Sequence, residues 1–73
     1  LSPNPANDFV QIVMDNNTIY AVVAYDITGR AIPLTYSQQS NIIVADVQLL
    51  PAGNYMLQVI AADKTGVGIL QKQ

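Results

Sequence analysis

The chain has 73 residues and only three basic side chains, Arg30, Lys64 and Lys72, against five aspartates, for a net charge of −2. It contains no cysteine and no histidine, which removes disulfides, thiolate nucleophiles and the commonest general base and metal ligand together. Charged residues are 11% of the chain, against roughly 25% in an ordinary domain, while 51% are hydrophobic. Nucleic acid, whose phosphates need clustered cations, is therefore a poor partner, and some apolar surface has to stay exposed.

A chain of this length forms one small domain that buries only about 60% of its unfolded surface. No apolar run approaches the roughly 20 residues of a membrane helix, and no signal peptide is present, so export would have to begin from an upstream segment.

In chain order, Pro3 and Pro5 come first and hold residues 1 to 5 stiff and extended, as at a junction between modules. Helical periodicity is weak, and β-branched and aromatic runs between turn signals predict six strands. In residues 9 to 14, Val10, Ile12 and Met14 share a face, and Asp15, Asn16 and Asn17 then make a polar turn. Residues 19 to 25 are apolar on both faces and read as a central strand, with either Val22 and Ala24 or Val23 and Tyr25 inward. DITGR is a tight turn in which Gly29 is best able to take positive φ. Residues 31 to 36 return with Ile32, Leu34 and Tyr36 on one face, and Pro33 marks this run as an edge strand or a bulge.

SQQSN then reads as a polar loop, and residues 42 to 47 as the fourth strand. The fifth, residues 55 to 61, alternates Tyr55, Leu57, Val59 and Ala61 with Met56, Gln58 and Ile60. ADKTG is a hairpin turn, and residues 67 to 71 finish the sheet, broken by Gly66 and Gly68 and so comparatively easy to detach. Strands at this spacing favour an antiparallel sandwich, and Leu50, Gly53 and Tyr55 have the L-x-x-G-x-Y spacing of a tyrosine corner.

No chemical constellation emerges. Asp15 with Asn16 and Asn17, or Asp26 with Thr28, lack the carboxylate count of a calcium loop and are better explained as turn chemistry. Scattered aspartates do not suggest glycoside hydrolysis. The glycines form no phosphate-binding loop. The tyrosines at 20, 25, 36 and 55 are better accounted for by packing than by a sugar-stacking platform. The residues predict no enzyme, cofactor or metal.

Three stretches carry a resemblance: PNPAND at residues 3 to 8, YDITGR at 25 to 30 and LPAGNY at 50 to 55, followed by a short final strand ending in Lys72 and Gln73. Together they resemble the C-terminal sorting domain of cargo proteins of the type IX (Por) secretion system of Bacteroidetes-type bacteria, over residues 1–73 as a single domain. The resemblance implies an all-β, immunoglobulin-like antiparallel Greek-key sandwich of about seven strands, at the end of a larger exported protein. It implies a non-catalytic signal, recognised in the periplasm by the type IX translocon and sent across the outer membrane to the cell surface or medium. A sortase-like surface protease would remove it, with the scissile bond near or before Leu1, while attaching many cargoes to lipopolysaccharide. Pro3, Asn4, Pro5 and Asp8 match the first motif, Gly29 and Arg30 the second, and Gly53 and Tyr55 the third. Ser2 stands where the family often has an aromatic residue, and Lys72 occupies a slightly different terminal position from many members.

Sparse charge, Pro33 and a glycine-broken last strand leave sheet edges open to β-augmentation. GVGILQKQ, with Ile69 at its centre, is the expected recognition edge, and the same edge would serve a homodimer. The alternative function is a sandwich retained on the surface that binds carbohydrate or a protein partner through tyrosines lining one face. A passive spacer is a third.

Overall fold

The computed structural model of the chain describes residues 8–14 and 18–73. The strands are β1 (Phe9–Val13), β2 (Ile19–Tyr25), β3 (Ala31–Pro33), β4 (Tyr36–Gln39), β5 (Ile42–Asp46), β6 (Gly53–Ala61) and β7 (Thr65–Lys72), with no helix among the described residues. They form two antiparallel sheets, one of three strands in the order β1-β5-β4 and one of four in the order β3-β2-β6-β7. Hairpins join β2 to β3, β4 to β5 and β6 to β7, and the chain changes sheet in each of the other three connections.

Period-two alternation decides which side chains meet between the sheets. Val10, Ile43 and Ala45 come from the three-stranded sheet; Ile19, Val22, Ala24, Tyr55, Leu57, Val59, Ala61 and Leu70 come from the four-stranded sheet. Val47 and Leu50 complete the core from the β5–β6 connection. In β2 it is Val22 and Ala24 that point inward, with Val23 and Tyr25 half-buried on the other face. Ile12, Met14, Ile32, Leu34 and Tyr36 pack on the margin of this core, on the faces their spacing predicts.

Three expectations change. The run 31 to 36 is two strands in different sheets. Pro33 has no N–H, so pairing with β2 stops there; Leu34 still donates to the Val22 carbonyl at 2.9 Å, and the Thr35 carbonyl then accepts from Asp46 N–H of the other sheet at 2.8 Å. SQQSN is not all loop, because Tyr36–Gln39 forms edge strand β4 against β5. Its polar residues Ser37, Gln38 and Gln39 are exposed and give no alternating signal.

Gly66 and Gly68 do not break the last strand. β7 pairs with β6 in unbroken register from Ile60↔Thr65 to Gly53↔Lys72. Both glycines lie opposite inward-facing residues, Val59 and Leu57, and the missing side chain of Gly66 leaves room for Met14. A Cβ on Gly66 would come within 3.3 Å of the Met14 methyl carbon.

Candidate functional site

The described motif residues gather at one end of the sandwich, where β2 and β7 finish and β3 and β6 begin. The register fixes this: Tyr25 lies opposite both Ala31 and Met56, Met56 opposite Ile69, and Gly53 opposite Lys72. Pro3, Asn4 and Pro5 lie outside the described residues, as does the Asp15–Asn17 turn.

The YDITGR turn is organised by one carboxylate. Asp26 Oδ1 accepts hydrogen bonds from Thr28 N–H at 2.9 Å, Thr28 Oγ1–H at 2.6 Å and Arg30 N–H at 2.9 Å. Asp26 N–H donates to the Arg30 carbonyl at 3.2 Å, and Gly29 N–H to the Asp26 carbonyl at 2.9 Å. Gly29 sits at φ +87°, a conformation glycine adopts without a Cβ penalty. Asp26 thus forms an Asx turn that leaves its oxygens engaged by the chain itself. The Thr28 hydroxyl first, then the Arg30 backbone N–H, lowers its pKa below the ordinary 3.8. Arg30 Nε lies 3.4 Å from Asp26 Oδ2 while its side chain is 71% exposed, a pairing of small energetic value that leaves the guanidinium presented to solvent.

The LPAGNY corner stands beside it. Tyr55 is buried in the core, and its phenol donates to the Pro51 carbonyl at 2.6 Å, the local geometry expected of a tyrosine corner. Leu50 N–H donates to the Val47 carbonyl at 3.1 Å, and Val47 N–H to the Asp8 carbonyl at 2.8 Å, which ties the start of β1 to the same connection. Gly53, at φ +149°, opens β6 opposite Lys72. Lys72 Nζ donates to the Gln73 carbonyl at 3.3 Å. Between the Arg30–Thr35 segment and the Asp46 and Leu49–Pro51 segment lies a cleft of about 510 Å³.

The fourth component is a sheet edge. Of the four edge strands, β3 has three residues and a proline, β4 four and β1 five, whereas β7 runs for eight. Short, polar or proline-bearing edges resist further pairing; a long one invites it. Ile69 and Val67, 65% and 63% exposed, stand on the outer face of β7, leaning away from the core rather than across the edge. The sequence assigned Asp26 with Thr28 to turn chemistry, Gly29 to positive φ and Tyr55 to the corner, as the structure has them; the Asp26 Oδ1 bond to Arg30 N–H and the cleft beside Arg30 had no signal in it.

The four tyrosines do not share a face: Tyr55 is buried, Tyr36 donates at 2.9 Å to the Ile19 carbonyl between the sheets, and Tyr25 donates at 2.9 Å to Gln58 Oε1. Only Tyr20, 66% exposed, stands well clear of its surroundings.

The molecule so defined is a small two-sheet β domain whose distinguishing residues serve turns, a corner and one long edge at a single end. It belongs to the family of type IX secretion C-terminal sorting domains: the family model described as "Secretion system C-terminal sorting domain" matches residues 1–71. No curated protein and no solved structure matches the chain. As a sorting domain it acts with a secretion machinery on an N-terminal cargo, and it directs export across the outer membrane to the surface or medium.

Proposed function

We propose that the chain is a folded address label: a single immunoglobulin-like Greek-key domain, with no catalysis of its own, that the type IX translocon reads at its motif-bearing end after periplasmic transit. The carrying observation is that two motifs far apart in sequence, YDITGR and LPAGNY, meet the terminal strand at one end of one sheet. The strand order supports the immunoglobulin-like reading, since the tyrosine corner opens a central strand that immediately follows a change of sheet. Gly29, Gly53 and Tyr55 shape this end; Arg30, Ile69, Lys72 and Gln73 are its presented groups; Pro3, Asn4, Pro5 and Asp8 join it to the cargo. The long β7 edge is the docking strand, by β-augmentation. A sortase-like surface protease then removes the label near or before Leu1.

The test fuses the 73 residues to the C-terminus of a periplasmically exported fluorescent reporter, in a type IX-competent bacterium and in its translocon mutant. Surface appearance in the competent strain alone, with loss of the 7.9 kDa label, is the expected result. Intact fusion held in the periplasm of both strains would overturn the reading. Ile69→Lys in the same fusion is expected to impair export; normal export would remove the Ile69 side chain from the account.

A further inference from the structure

The outer face of the four-stranded sheet carries no charge. Alternation and register place Tyr25, Met56 and Ile69 in one row across it and Val23, Gln58 and Val67 in the next, and none of its other outward strand positions is Asp, Lys or Arg. Its central polar groups are already paired with each other, since the Tyr25 phenol donates to Gln58 Oε1 at 2.9 Å. The charges that border it lie at its ends: Asp26 and Arg30, which face one another, in the turn after β2, and Asp63 and Lys64 in the hairpin between β6 and β7. The three-stranded sheet differs, because its outer face includes Asp46 beside Phe9.

From these observations we infer that this face is a self-association surface, and that its occupant is a second copy of the same face. A two-fold interface needs a patch complementary to itself, and a charge-free sheet face meets that condition without burying an unpaired ion. A charged partner would find no counterpart here. Two such faces pack in the manner of aligned sheets, about 10 Å apart, with the Tyr25 phenol entering the contact already bonded to Gln58 Oε1.

Four strands about 4.8 Å apart and averaging about seven residues, the short β3 included, give a face of roughly 450 Å². The pair then buries about 900 Å², just under the size of a stable specific interface, so the dimer is weak and reversible. This contact uses the face of β6 and β7 rather than the edge of β7, and it stands whether or not the sorting role does.

Sedimentation equilibrium on the 73-residue chain, up to about 1 mM, tests it. Wild type is expected to show concentration-dependent dimer. Met56→Lys, on the central strand, and Val67→Glu each weaken association at least tenfold while circular dichroism stays that of the wild type; Val13→Lys, on the other sheet, leaves it unchanged. The two face variants guard against one failing to fold. A wild type that stays monomeric throughout would overturn the inference, and so would face variants that associate as strongly as wild type, which would move the contact to the β7 edge.

Discussion

The two sheets contribute unequally to the same domain. The four-stranded sheet supplies eight of the thirteen buried core residues and all of the long strands, and the YDITGR turn and the LPAGNY corner sit at its end. The three-stranded sheet supplies three of them, from short strands of four or five residues. One sheet is scaffold and display together; the other is its cover. In a chain of this size the difference has consequences, because total stability is about 4–11 kcal/mol and cannot be spread evenly over marginal strands.

Hydrogen exchange offers the widest test of this contrast. Amides of β6, paired on both sides, are expected to exchange only by global unfolding, whereas those of exposed edge strand β4 open locally and exchange orders of magnitude faster. Equal protection would erase the distinction. Leu57, 1% exposed at the centre of β6, gives the largest mutational effect: Leu57→Ala is expected to cost about 2–5 kcal/mol, enough to leave much of the population unfolded at 37 °C. Urea titration would read it, and a loss under 1 kcal/mol would show that β6 is not the centre of the scaffold.

Smaller changes test the motif end. Gly29→Ala forces a Cβ into φ +87° with open space around it, so its cost of about 1–2 kcal/mol is backbone strain alone; thermal melts that match wild type would show that the turn relaxes. Tyr55→Phe deletes the 2.6 Å bond to Pro51 and is expected to cost about 1 kcal/mol, a fall in Tm of about 4–8 °C. The smallest effect is electrostatic. Asp26 has a folded pKa below its ordinary 3.8, so its contribution is complete above that value and is lost as pH falls through the lower folded one. Asp26→Asn is expected to cost stability at neutral pH, where the carboxylate is charged, and to flatten the acid side of the profile, so that its difference from wild type shrinks as pH falls below 3.8.

Much of the scaffold was legible in sequence because its strands are half-buried and long. The alternation of Tyr55, Leu57, Val59 and Ala61 states which face is inside, and L-x-x-G-x-Y states where the corner lies. β4 was hidden because an edge strand with polar residues on both faces has no period to detect. The role of Gly66 was hidden for another reason: the group that needs its space, Met14, follows β1 of the other sheet, and no local pattern reports a contact between them. The same holds for the site. Each motif could be read alone, but only strand order brings Tyr25, Gly53 and Lys72 to one end.

That convergence makes the label conditional. Residues 25–30, 50–55 and 69–73 become neighbours only after β6 has paired with β2 and β7 has closed onto β6. A half-folded chain carries the same letters without the arrangement. A receptor that binds all three segments therefore tests for folding in the act of recognition, engaging chains in which β7 has closed onto β6 and passing over those in which it has not.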